Sequence, residues 1–195
     1  YKSGDAIPYK ERSFNHRKTI FKIKLEPKEL QQFYLHVKSD GELLSMPLNL
    51  HTIEDLITIT SFEQIVFGFF YGILIIAAIL YFFFFFAMRE RTFLYYSLYV
   101  VFIGLLQFSV DGYFFQFITP NSGWLSLHSV ILFATIANFL LGRYAQVFLK
   151  IKEYSSFINS SFLVLYVLDF LLLLSLFFIP SALEISYPIA NGLGL

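Results

Sequence analysis

The chain of 195 residues contains no cysteine, which excludes disulfides and thiolate metal sites and leaves the redox compartment undecided. Charge is also scarce. Lys, Arg, Asp and Glu make up 14% of the residues and cancel to zero, so there is no basic surface to hold nucleic acid. The four histidines, His16, His36, His51 and His128, are scattered. None stands at metal-ligand spacing from another His or a carboxylate, and they read as surface or packing residues. No H-E-x-x-H, G-x-S-x-G or glycine-rich phosphate loop occurs. The expectation is no catalytic, cofactor-binding or metal-binding residue, no cofactor, and no enzymatic activity in these residues.

What the chain has in abundance is apolar length. The hydrophobic fraction is 57%, with 26 Phe, several of them in the run Phe82–Phe86. Four apolar runs, Ile65–Met88, Thr92–Val110, Gly123–Gly142 and Phe157–Leu183, approach or exceed the roughly 18–20 residues that cross a bilayer as a helix. The expected fold is an α-helical transmembrane bundle with spans at about 64–88, 92–110, 123–147 and 157–180. A fifth span would start at about 184–195. The chain begins at Tyr1 without Met or a signal peptide and stops inside an apolar stretch, so it reads as a fragment.

The first 60 residues differ. They hold nine of the fourteen Lys/Arg and eight of the fourteen Asp/Glu. Apolar residues alternate in Thr19–Leu25 (Phe21, Ile23, Leu25), Gln32–Ser39 (Phe33, Leu35, Val37) and Met46–His51 (Met46, Leu48, Leu50), the period of half-buried strands. Turn signals at Glu26–Glu29 and Ser39–Gly41 separate them. Sixty residues make a poor core alone, so residues 1–51 are expected to be the C-terminal strands of an antiparallel β-sandwich domain, joined by a connector over 52–63 to the membrane region over 64–195. Tyr34, His36 and Asn49 project from the polar side of those strands; they would be its solvated face or its ligand-facing residues.

Short loops rich in Lys and Arg stay cytoplasmic. Arg89 and Arg91 lie between spans one and two, and Lys150 and Lys152 between spans three and four. Residues 111–122 and 45–62 have neither residue type. The β-domain is therefore expected outside the cytoplasm, and the chain in the inner (plasma) membrane as a multi-pass protein. Trp124 and the Tyr95/Tyr96/Tyr99 group fall near interfaces, where amphipathic rings prefer to sit.

Asp169 stands near the middle of the fourth span, where a charge costs several kcal/mol and must face protein or water. It would be a relay, ligand or switch carboxylate, or a protonated group hydrogen-bonded between helices. Span two places Ser97, Gly104, Gln107 and Asp111 on one face, and span three does the same with His128, Thr135, Asn138 and Gly142. Such small-and-polar faces serve interhelical packing, or line a cavity between spans two, three and four. Asp169, Asn138, Gln107 and Asp111 are thus the intramembrane polar candidates, and ligand-binding residues are unassigned. Gly68 and Gly72 form a G-x-x-x-G that permits close contact within the molecule or with a second copy.

The order of motifs resembles the bacterial seven-transmembrane receptors with diverse intracellular signalling modules. It runs through Gly68–Gly72, Leu80-Tyr81, Met88–Arg91, Phe93–Tyr99 and Gly112–Phe117 to Pro120. The family often has Asn after the Tyr of span one, where this chain has Phe82. The resemblance implies a signal-transduction receptor with an extracellular jelly-roll-like sensor domain, of which Arg17–Leu50 would be the last strands. It also implies a carbohydrate or other small extracytoplasmic ligand, contact with membrane lipid, and a cytoplasmic signalling module in cis, such as a diguanylate cyclase, histidine kinase or phosphatase. A homodimer fits such outputs. The competing readings are a transporter or membrane-embedded enzyme using Asp169, or a structural membrane protein.

Overall fold

The long first helix begins where Thr52 can cap it. The Thr52 hydroxyl accepts from the Asp55 N–H at 3.1 Å and donates to the Asp55 carboxylate at 2.7 Å. Glu54 and Asp55 place negative charge on the first turn, where the helix dipole favours it. The structure, a computed structural model, describes residues 2–4, 7–26, 28, 30–37 and 47–178.

Helix α1 runs over Ile53–Met88, α2 over Arg91–Val110, α3 over Gly123–Phe148, the one-turn α4 over Ile151–Tyr154 and α5 over Ser156–Phe178. Helices α1, α2, α3 and α5 are each long and apolar enough to cross a membrane. The start of a fifth span at 184–195 lies outside the described residues. Residues 53–63, expected to be a connector, are instead the first three turns of α1. At 1.5 Å per residue the 36 residues of α1 reach about 54 Å, well beyond the ~30 Å hydrocarbon core. The first turns, which carry Glu54, Asp55 and Glu63, therefore project from it.

Sharp turns separate the spans. Arg89 ends α1 in the left-handed conformation at φ 56°, with its N–H on the Phe85 carbonyl, and α2 starts two residues later. Lys150 adopts the same conformation, at φ 49°, between α3 and α4. The helices pack in chain order: α1 on α2, α2 on α3, α3 on α5. Helix α3 lies centrally and carries more buried residues than any other described helix, and Ile131 packs with Leu172 and Leu176 of α5. The far faces of α1 and α5, with Phe69, Ile76, Phe83, Leu163 and Phe170, are exposed as lipid-facing surfaces would be.

The expected β-sandwich is not found. Among the described residues no strand forms, whether at 19–25, 30–37 or 47–51. Phe33, Leu35, Leu48 and Leu50, expected to point into a core, are exposed. Alternation decides which side chains would share a face. It does not supply the second strand and second layer that make that face worth burying. Met46 and the turn at Ser39–Gly41 lie outside the described residues.

Candidate functional site: a junction between the N-terminal segment and the helix ends

Residues 7–18 lie against the end of the bundle where α1 starts, α2 stops and α3 starts. Tyr9–Glu11 form a single 3-10 turn. The Tyr9 N–H donates to the Pro120 carbonyl at 2.9 Å, and its ring meets Phe115 edge-on, with centroids 5.9 Å apart. The guanidinium of Arg12 lies 4.3 Å from the centroid of the Phe115 ring and donates to the carbonyls of Gly4 and His16. Phe115 is presented by a π-helical turn over Phe114–Ile118, where both Phe114 and Phe115 are buried.

Arg17 is the centre of the junction. Its guanidinium is flanked by the rings of Phe67 and Tyr113, whose centroids lie 4.9 Å and 5.0 Å away. It donates to the Asp111 carbonyl at 3.1 Å and forms an ion pair with Glu63 of α1. Lys18 reaches the other oxygen of Glu63 at 2.5 Å. A planar guanidinium can stack and donate through its fork at once, which an ammonium cannot. Burial raises the phenol of Tyr9 above its usual range, although Arg12 pulls the other way.

Below this layer, Asp111 ties α1 to α2. Tyr71 O–H donates to its carboxylate at 2.5 Å, and Gln107 N–H donates to the other oxygen at 3.1 Å. A cavity of about 280 Å³ opens beside the junction, lined among others by Arg17, Lys18, Ser109, Asp111, Ser126 and Ser129. Gly112 has φ +79°, and a Cβ there would come within 3.1 Å of the Arg17 carbonyl. Gly112→Val is therefore expected to combine backbone strain of about 1–3 kcal/mol with a push against residue 17. Its check is faster amide hydrogen exchange in residues 7–18, with the helices unchanged.

The second polar centre lies in mid-bundle between α3 and α5. Asp169 is buried, at 3% exposure, and both its oxygens accept from the Asn138 amide at 3.2 Å. A cleft of about 250 Å³ beside it is lined by Asn138, Gly142, Tyr166 and Asp169 with apolar neighbours. One turn on, the Tyr166 hydroxyl donates to Gln146 at 2.7 Å, as does Arg143 at 3.0 Å, and Gln146 donates to Asn159 at 3.2 Å. Arg143 also lies over the Tyr95 ring, which brings α2 into the network. Its side chain thus turns into the bundle.

The polar candidates thus separate into two pairs. Gln107 and Asp111 meet each other and α1, whereas Asn138 and Asp169 join α3 to α5. The whole α2 face turns to α1: Ser97 donates to the Ala78 carbonyl at 2.8 Å, and a Cβ on Gly104 would sit 3.5 Å from Leu74. On α3, His128 and Thr135 bond the carbonyls of Trp124 and Ile131 one turn back, each at 2.7 Å, and Gly142 meets Tyr166. Among the described residues the two faces thus have separate partners, and the cavity between the ends of α2 and α3 takes only Asp111 from either set. Gly68 and Gly72 meet no other group within 4 Å of where a Cβ would stand. Tyr34 and Asn49 are exposed, as is His36.

Sequence reasoning missed Arg12, Arg17, Glu63, Tyr71 and Tyr113. One signal was present, since Glu63 is the sole acidic residue between Asp55 and Glu90 and stands two positions before the first apolar run. Among the described residues no three His, Asp or Glu side chains gather as a metal site. The arrangement can hold an arriving segment against α1, the end of α2 and the turn that follows it, and tie helices to each other by polar pairs.

Comparison with known proteins agrees with that division of the chain. A family model described as 7TMR-DISM extracellular 2 matches residues 1–52. Another, described as 7TM diverse intracellular signalling, matches residues 63–194. Comparison with curated proteins and with solved structures gives no match. A chain whose greater part is this helical region, entered through a segment of the matching extracellular type, belongs to the 7TM diverse intracellular signalling family of membrane receptors.

Proposed function

We propose that this chain is the receiving and transmitting part of a receptor in the plasma (inner) membrane, with residues 1–52 outside the cytoplasm. A small extracytoplasmic ligand, a carbohydrate among the candidates, biases how the N-terminal segment sits on the helices. The helices pass that bias to a signalling module on the cytoplasmic side, and any catalysis belongs to that module. A homodimer suits such an output. The observation that carries this reading is the junction itself: Arg17 is fastened at once to α1 through Glu63 and to the end of α2 through Asp111. A ligand can shift an equilibrium only as far as it prefers one arrangement over the other. A segment pinned to several helix ends gives it two arrangements to discriminate.

The orientation is supported by Arg89, Arg91, Lys150 and Lys152, which lie on the end of the bundle opposite the junction. It is tested by single cysteines in the full-length protein, after replacement of any cysteine outside these residues. Cysteines at Lys22 and Ser122 should react with a membrane-impermeant maleimide in intact cells. Cysteines at Arg91 and Lys152 should react only after permeabilisation. The opposite pattern would place the junction in the cytoplasm and sink the proposal.

A further inference from the structure

We propose that the seating of residues 7–18 on the helix ends is an acid-released latch, with His16 as the group that takes up the proton. This inference deepens the reading above and rests on the junction facing the extracytoplasmic side. His16 is half-buried, and its Nδ1 accepts the backbone N–H of Lys18 at 3.0 Å. That bond closes the turn that aims Arg17 and Lys18 at Glu63, and it exists only while Nδ1 carries no proton. The His16 carbonyl also accepts from Arg12 at 3.3 Å, so the same turn braces the cation that lies over Phe115.

Protonation would set two donors against each other at Nδ1. It would also add a third positive charge beside Arg17 and Lys18. Opposite them, α1 offers one carboxylate, Glu63, already shared by both cations. From α2, the Asp111 carboxylate is occupied by Tyr71 and Gln107, and its carbonyl by Arg17. At the cavity α3 contributes the hydroxyls of Ser126 and Ser129. Burial, then Arg17 and Lys18, hold the His16 imidazole below its ordinary value of 6.5, with Glu63 pulling the other way. A seated-state value below the released one means that seating is fully favoured above pH 6.5 and weakens as pH falls through it.

The test uses full-length protein in nanodiscs with a cysteine at Ser126, on the cavity wall, labelled by a soluble maleimide. Each rate is divided by that of a cysteine at the exposed Asn121, which cancels the thiol's own titration. The normalised rate should rise several-fold from pH 8 to pH 5. The limit is about 30-fold, the factor for one proton taken up by an ordinary histidine over that range. His16→Asn, which keeps an acceptor but cannot take the charge, should abolish the rise; His16→Gln serves if that variant fails to fold. A rate constant with pH, or an equal rise in the variants, overturns the latch while leaving the seat intact. Labelling at residue 126 as fast as at residue 121 already at pH 8 removes the seat, and with it both this inference and the coupling part of the proposed function.

Discussion

Replacing Arg17 with alanine is expected to free residues 7–18 from the helix ends, at a cost of about 2–3 kcal/mol. The Arg17 side chain is 7% exposed and that of Glu63 26% exposed, so the pair sits at the edge of the fully buried class. Breaking a buried pair from one side costs about 3–5 kcal/mol, and an exposed one under about 1. The estimate falls between because Lys18 remains on Glu63 and water still reaches the carboxylate. Two stacked rings and the bond to the Asp111 carbonyl go as well. Arg17→Lys should fall between the parent and alanine, since charge survives but the planar fork does not. The measurement is amide hydrogen exchange over residues 7–18, where a loss of about 2 kcal/mol accelerates exchange roughly 30-fold. In the full-length protein the same change should uncouple output from ligand. Unchanged exchange in Arg17→Ala would show that the segment is held by Tyr9 and Arg12 instead, and the pin would have to be reassigned.

Asp169→Leu is expected to loosen α5 from α3 by about 1–3 kcal/mol, because the Asn138 amide, which donates to Asp169, is left unpartnered in the bundle. Asp169→Asn keeps an oxygen to accept from that amide and should cost under about 1 kcal/mol. The comparison is made by thermal unfolding in micelles, with helix content read by circular dichroism. It also separates two readings of the residue. As a tie between helices, Asp169 tolerates Asn and not Leu. As the proton or substrate group of a transporter, it tolerates neither, and flux disappears in Asp169→Asn while the fold survives. Equal stability of both variants would deny the residue a structural part.

Both effects depend on contacts that the sequence showed only halfway. The α2 set Ser97, Gly104, Gln107 and Asp111 could be recognised as one helix face because 3.6-residue spacing is a local property. That this face meets α1, and not α3 and α5, is decided by the order in which the helices pack. Asn138 and Asp169 stood out as polar groups in apolar runs, yet only packing brought α3 and α5 together so that one amide serves both oxygens. The strands expected of the β-domain are absent among the described residues for the opposite reason. Alternation over residues 19–51 was a sound local pattern, but a strand is completed by its neighbour.

The sequence by itself determined four membrane-length helices, the loops rich in Lys and Arg, and the family, and it placed the helix bounds approximately except at the start of α1. These follow from hydropathy summed along the chain and from charge at its bends, and neither requires knowing what touches what. Only the tertiary structure decided that Arg17 would find Glu63, 46 positions away, and close the junction. Ion pairs and ring stacks act over a few ångströms, so they are fixed by where helix ends come to rest, which no window of neighbouring residues encodes.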